Sequence, residues 1–288
     1  MNKKVAVFND ISGFGRCSLT AAIPVLSALG VQCNPIPTVV LTGQGGYPVK
    51  FRQVMTDMLP NFGKAWKSNG VSFHGIYTGY MAEPEQIQHV LQFLGNFRHE
   101  DTFLLVDPVM GDNGRTYCSY SEELLTEMRK LITLANLITP NLTEACLLTG
   151  EDFAEISTIS SKEVLLEKVV SIAHNLRQRA IVSQDVVITG VKVFDHNQWF
   201  VYNVAVTENG VFTHSSAWLD KSYSGTGDLF SSCLCGLRMN GYSTEEAIPL
   251  TSEFLYRGIT DTMKQESDSN DGIEFERHLK YLVDLVRN

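Results

Sequence analysis

The 288-residue chain is 44% apolar and 19% charged, the balance of an ordinary soluble globular protein and not of a disordered one. A formal net charge of −9 argues against a nucleic-acid binder, which needs a basic surface, and no apolar run approaches the roughly 18 residues of a membrane span. The chain enters its first apolar run at once, without a secretory-leader pattern, so a cytoplasmic protein is expected. In chain order, Lys3–Phe8 reads as a buried parallel strand, and Ser18–Leu29 as a helix closed by Gly30, with Pro24 an awkward interior residue. Strands follow at Val31–Leu41, Ile76–Gly79 and Phe103–Asp107, with a helix over Glu83–Phe97. Further on, Ser121–Ala135, Thr143–Gly150 and Lys162–Arg179 read as helices, and Leu137–Thr139 and Ala180–Thr189 as strands. Val191–Phe194 and Trp199–Val206 suit an antiparallel hairpin at a sheet edge. Helices over Asp228–Met239, from Ser243 or Thr244 to Met263, and over Glu274–Val286 close the chain, and the polar stretch Gln265–Gly272 is expected to be a mobile loop. This alternation, without repeats or a linker, predicts a single α/β domain over 1–288 with a mainly parallel sheet.

Ligands of such sheets sit beyond the carboxyl ends of the strands, where several unusual loops fall. The strongest chemical signal comes late, in Ser222–Asp228. Gly225–Thr226–Gly227 lets the backbone turn tightly so that its N–H groups converge, and the following helix adds the positive end of its dipole, which together make an anion site. Asp228 at its mouth would repel a phosphate unless it had a task of its own, such as taking a proton from an attacking hydroxyl. The combination points to phosphoryl transfer, although the same string also suits a glycine-rich entry to a buried helix.

Other chemistries find less support. Gly13 and Gly15 match part of a dinucleotide fingerprint whose third glycine is replaced by Ser18, and no Walker A loop or protein-kinase signature occurs. The six cysteines show no C-x-x-C spacing and the seven histidines no ligand spacing, so zinc and Ser-His-Asp chemistry are disfavoured. Asp107 and Glu144 end or follow consecutive strands, where two carboxylates can hold Mg²⁺ directly or through water. Alternatively, Asp107 caps a strand and Glu144 favours a helix N-terminus. Lys221, Arg16 and Arg115 could offset phosphate charge, Lys221 first by proximity. Tyr47 and Tyr80 offer rings to a flat heteroaromatic substrate, while Gln44 and Asp10 offer donors and acceptors to its ring atoms.

Taken together, Asp10–Ile11–Ser12–Gly13–Phe14–Gly15, Pro37–Thr38–Val39, Thr78–Gly79–Tyr80–Met81, Asp107–Pro108–Val109–Met110–Gly111–Asp112, Thr139–Pro140–Asn141 and Gly225–Thr226–Gly227–Asp228 resemble the pyridoxal/pyridoxamine kinase family of the ribokinase-like superfamily, over nearly the whole chain. The resemblance implies a three-layer α/β/α, Rossmann-like fold and a homodimeric, ATP-dependent kinase acting on the 5′-hydroxymethyl group of vitamin B6 compounds. It makes Asp228 the base and Gly225, Thr226 and Gly227 the stabilisers of the transferred group. Asp107, Thr139, Asn141 and Glu144 match positions near Mg²⁺ and the ATP phosphates, Thr189 a strand end near the nucleotide, and Tyr117 the flap after the Asp-Pro-Val motif. It also implies a monovalent cation such as K⁺. At the substrate end, Asp10, Ser12 and Gln44 are similar to the hydroxymethylpyrimidine kinase branch, whereas Asp228, where that branch usually has Cys, and Met110–Gly111–Asp112 with Tyr117 are similar to the B6 enzymes. A B6 kinase is the expectation, with a pyrimidine kinase of thiamine synthesis or a catalytically idle B6-binding protein as alternatives.

Overall fold

The computed structural model describes residues 2–265 and 267–287. The chain falls into two compact units, one formed by Met1–Phe103 with Lys221–Asn288 and the other by Leu104–Asp220.

The first 103 residues run β1 (Lys4–Ser12), α1 (Ser18–Ala28), β2 (Gln32–Leu41), β3 (Arg52–Val54), α2 (Leu59–Ser68), β4 (Gly75–Thr78) and α3 (Pro84–Phe97). Strands β4, β1 and β2 are parallel neighbours in that order, and β3 adds antiparallel to β2. Val5, Ala6, Val7 and Phe8 are inaccessible, as a strand covered on both faces requires. β1 runs four residues beyond the expected Phe8, because β2 keeps pairing with it across a register shift between Asn9 and Ile11. Asn9, Asp10 and Ser12 therefore sit on a strand and not in a loop, and such irregularities commonly re-aim side chains beside functional sites. Phe8, Trp66, Phe73, Phe93 and Phe97 pack as one aromatic cluster, with the Phe93 and Phe97 rings stacked at 4.3 Å.

The middle of the chain carries β5 (Phe103–Val106), the small hairpin β6 (Gly111–Asp112) and β7 (Arg115–Thr116), α4 (Glu122–Ile132), β8 (Leu137–Ile138), α5 (Leu142–Thr149), α6 (Phe153–Ser157), α7 (Lys162–Gln178), β9 (Asp185–Asp195), β10 (Gln198–Thr207) and β11 (Gly210–Ala217). Strands β5, β8 and β9 are parallel, and β10 and β11 continue antiparallel. The α/β class with a mainly parallel sheet is thus what the sequence led us to expect. Two details differ. Ala180–Gln184 is irregular, with a bend at 181–182 and Ile181 exposed, so the strand begins only at Asp185. That strand then continues through Gly190, which bends at φ +71° while pairing to β10 carries on, and the hairpin is followed by β11, which takes the edge.

From Lys221 the chain returns to the first unit with α8 (Thr226–Met239), α9 (Thr244–Met263) and α10 (Leu279–Val283). A helix over Glu274–Val286 does not form as one piece: Glu276–His278 is a 3-10 turn, and only Leu279–Val283 is α-helical. In the expected mobile loop Gln265–Gly272, Glu266 lies outside the described residues, and Ser269–Asp271 forms a single 3-10 turn.

Helices α1 and α8 pack closely where Gly236 faces Leu29, and a Cβ at Gly236 would run into the Leu29 side chain. Gly236→Ala is therefore expected to lose about 1 to 3 kcal/mol of stability through overpacking. Urea unfolding measures this, and an unchanged midpoint would show that α1 and α8 separate freely.

Candidate active site

In the first unit the site forms where β1, the start of α1 and the start of α8 meet. Gly225 precedes α8 with φ +79°, and a Cβ there would run into the Arg16 carbonyl, so this turn requires glycine. The first backbone N–H groups of α8 have no partner within the helix, which leaves an anion-binding end at Gly225–Thr226–Gly227. Asp228 lies in that first turn, half-buried. Its Oδ1 accepts from Asn9 Nδ2 at 3.0 Å, and the Ser18 backbone N–H also donates to its carboxylate. Burial nevertheless raises Asp228 above the ordinary carboxylate range, against the opposing effect of these two donors.

Asp10 is 7% exposed and is held by two hydroxyls, Ser12 Oγ donating to Oδ2 at 3.2 Å and Ser18 Oγ to Oδ1 at 2.5 Å. Burial, and then the charge of Asp228, push Asp10 up to about 6. Ser18 thus serves both carboxylates, its N–H facing Asp228 and its hydroxyl Asp10, while its backbone adopts φ +50°, a conformation uncommon for serine. Of the residues expected from the sequence, Asp10, Ser12 and Asp228 are therefore brought together. Tyr80 joins them through its backbone, its N–H donating to Asn9 Oδ1 at 2.9 Å.

Gln44 stands on the loop after β2, buried and tightly engaged: Oε1 accepts from the Gly46 N–H at 2.7 Å and Nε2 donates to Asn270 at 2.8 Å. Tyr47 donates to Asp271, and the Arg16 N–H to the Asp271 carbonyl. Lys221 does not point freely at the anion site; its Nζ donates to the Ser267 carbonyl at 2.7 Å and lies over the Tyr223 ring. Arg16 is paired with Glu276 at 2.6 Å. The residues that sequence reasoning missed here are Asn9, Ser18, Asn270 and Asp271. Asn9 adjoins Asp10 in the quoted motif, whereas Asn270 is 226 residues from Gln44, and nothing local announces the pairing.

The second unit gathers its own set at the ends of β5 and β8 and along β9. Asn141 caps α5, its Oδ1 accepting from the Glu144 N–H, while Glu144 Oε2 accepts from the Asn141 N–H, a reciprocal capping box. Glu144 Oε1 accepts from the Met110 N–H at 3.0 Å, which ties the loop after Asp107 to the start of α5. Glu144 is raised well above its ordinary range by burial and by the neighbouring Asp107 charge. Thr189 bridges Asn141 in parallel fashion, the buried Thr139 donates its N–H to Val106, and the exposed Tyr117 donates its N–H to Met110. Asp107, Tyr117, Thr139, Asn141, Glu144 and Thr189 are thus collected in one unit. Among the described residues no three His, Cys, Asp or Glu side chains form a metal cage, and no helix is long and apolar enough to cross a membrane.

An anion-binding helix end beside a carboxylate, on an α/β fold with a mainly parallel sheet, suits phosphoryl transfer, and similarities to known proteins place the chain in the pyridoxal kinase family of the ribokinase-like superfamily. The family model for phosphomethylpyrimidine kinase matches residues 18–271, and the chain belongs to that family. A protein from Bacteroides thetaiotaomicron VPI-5482, provisionally named a phosphomethylpyrimidine kinase and crystallised with pyridoxal, superposes with a TM-score of 0.89 at 38% identity, covering 98% of this chain and 96% of that one. Pyridoxal kinase from Lactobacillus plantarum superposes with a TM-score of 0.87 at 26% identity, covering 98% and 97%. The pyridoxine/pyridoxal/pyridoxamine kinase of Bordetella avium (strain 197N) is 26% identical over 261 residues, covering 88% of this chain and 83% of its own.

The raised Asp10 carries a stability signature. Between its ordinary value of 3.8 and about 6 the folded chain holds more protons at this site than the unfolded chain, so stability falls as pH rises through that window. Above it the loss amounts to about 3 kcal/mol, at 1.36 kcal/mol for each pH unit. Asp10→Asn is therefore expected to melt higher than the native chain at pH 7.5, with the advantage vanishing near pH 4. Melting curves across this range test it, and a pH-independent difference would contradict it.

Proposed function

We propose that this chain transfers the γ-phosphoryl group of ATP to the 5′-hydroxymethyl group of pyridoxal, pyridoxamine or pyridoxine, yielding the B6 5′-phosphate. The observation that carries the reading is Asp228, a carboxylate oriented by two donors at the mouth of an anion-binding helix end. The Bacteroides relative crystallised with pyridoxal supports the substrate class. Asp228 takes the proton of the hydroxymethyl group as its oxygen attacks the γ-phosphorus, and the N–H groups of Gly225–Thr226–Gly227 meet the charge that develops on the transferred group. Asp10, Ser12, Gln44 and Tyr80 bind the ring. Asp107, Tyr117, Asn141 and Thr189 serve the nucleotide, whereas Lys221, expected there from the sequence, is held by the Ser267 carbonyl.

Mg²⁺ fits the second unit. Asp107 and Glu144 are buried and repel one another, as the raised Glu144 records, and a divalent cation relieves such a pair. Both Glu144 oxygens already accept backbone N–H groups, so Glu144 would hold the ion through water, with Thr139 alongside. When bound, the ion neutralises charge on the ATP phosphates. The reading also includes a monovalent cation such as K⁺, a homodimer and a cytoplasmic location.

A second reading has its own support: the matching family model is that of phosphomethylpyrimidine kinase, so hydroxymethylpyrimidine is the competing substrate. Purified protein with Mg-ATP should phosphorylate B6 vitamers. Brisk turnover of hydroxymethylpyrimidine with none of any vitamer would replace the first reading by the second, and binding of pyridoxal without turnover of either would leave a binding protein. Asp228→Asn is expected to lower kcat on the order of a hundredfold or more, with vitamer KM little changed. Because burial raises Asp228, kcat should climb with pH through that raised value before levelling.

A further inference from the structure

Asn9 belongs neither to the anion-binding turn nor to the groups assigned to the ring, yet it is the side chain on which Asp228 is mounted. It is fully buried, and its Oδ1 accepts two backbone N–H groups, from Asp10 at 3.0 Å and from Tyr80 at 2.9 Å. These two donors fix which end of the amide is oxygen, because the flipped amide would set its NH₂ against both. Nδ2 is thereby forced toward Asp228, where it donates to Oδ1 at 3.0 Å. The fit is close: a Cβ at Gly79 would come within 2.8 Å of Asn9 Oδ1 and 2.6 Å of its Cγ, so the backbone beside the amide has no room for a larger residue. The strained Ser18 adds the second donor from the start of α1.

We propose, on the reading that Asp228 is the general base of a kinase, that Asn9 is the positioning residue of that base: its amide commits Oδ1 and turns Oδ2 to the substrate hydroxyl. It also favours the ionised carboxylate, since a hydrogen bond to the charged form stabilises it. The titratable groups that interact electrostatically with Asp228 are Asp10 on β1 and Cys17 before α1, and the burial-raised Cys17 thiol stays neutral at physiological pH.

Asn9→Asp separates this role from a scaffolding one. It keeps an oxygen for the Asp10 and Tyr80 N–H groups, so the fold should persist, but it replaces the donor to Asp228 with a second carboxylate. The expected result is a kcat at least about tenfold lower with ATP KM unchanged, and an acid limb of the kcat profile moved up by about one pH unit or more. Asn9→Leu, which removes donor and acceptor together, should lower kcat as well and also lower the melting temperature. A folded Asn9→Asp protein with native kcat and an unmoved acid limb overturns the proposal. Titration of the Asp228 carboxyl by ¹³C NMR, its resonance assigned by its loss in Asp228→Asn, gives a readout independent of turnover. An upward shift in both Asn9 variants supports the proposal and no shift in either refutes it, even if the native protein transfers no phosphate and the kinase reading itself fails.

Discussion

Two carboxylates, the buried Asp10 and the half-buried Asp228, lie close enough to interact, and this constraint organises the first unit around them. Burying like charges together is unfavourable by several kcal/mol unless donors meet them. The chain supplies hydroxyls from Ser12 and Ser18 to one, and the Asn9 amide and Ser18 N–H to the other. Donors without charge leave both groups raised, where lysine or arginine partners would have held them low. A carboxylate kept basic while still shaped to accept a proton is what a general base requires. The arrangement also depends on three chain segments at once, since Asn9 lies on β1, Ser18 opens α1 and Asp228 opens α8. Packing of α1 on α8 is therefore part of the chemistry, because any slide between them moves donor and acceptor apart.

The segment from Ser267 to Asp271 extends the same logic outward. It accepts Lys221 at Ser267, the Ser224 N–H at Ser269, Gln44 at Asn270, and Tyr47 and the Arg16 N–H at Asp271. One short stretch thus ties the turn before α8, the loop after β1 and the loop after β2 to one another. Read by composition it is acidic and polar, which suggests mobility. In the fold, its side chains and carbonyls are the partners those loops lack locally.

Much of this was legible in the sequence, and what was not has a common cause. Apolar periodicity placed the parallel strands and principal helices because those signals are local. The glycine turn and Asp228 were legible for the same reason, since turn, carboxylate and helix start occupy seven successive residues. Residues whose meaning depends on distant partners were not. Asn9 reads as the end of a strand until Tyr80 and Asp228 come to it, and Asn270 reads as loop until Gln44 arrives from 226 residues away. Glycine misled at Gly190, where a stop signal marks only a bend in β9. At the C-terminus the expected helix over Glu274–Val286 is only a 3-10 turn followed by the short α10, with Phe275 buried ahead of both. The carboxylates Asp107 and Glu144 were found by their place at strand ends, but the sequence could not show that Glu144 spends both oxygens on backbone N–H groups.

The same accounting bears on ring choice. On the proposed reading, the groups facing the ring are those whose hydrogen-bonding capacity the fold has partly used. Each Asp10 oxygen already accepts a hydroxyl, and the Gln44 oxygen already accepts the Gly46 N–H. Gln44 Nε2 gives one hydrogen to Asn270 and keeps its second, since a primary amide carries two. Each of these oxygens has two lone pairs, so Asp10 and Gln44 keep acceptor capacity as well as the second Gln44 hydrogen. A pyridine ring bearing a phenolic oxygen asks for a donor. An aminopyrimidine asks in addition for an acceptor opposite its amino group, which the remaining lone pairs of the Asp10 carboxylate can supply. On the proposed reading, the hydrogen-bonding capacity left at Asp10 and Gln44 meets either ring, so these two departures from the B6 pattern do not by themselves select the pyrimidine.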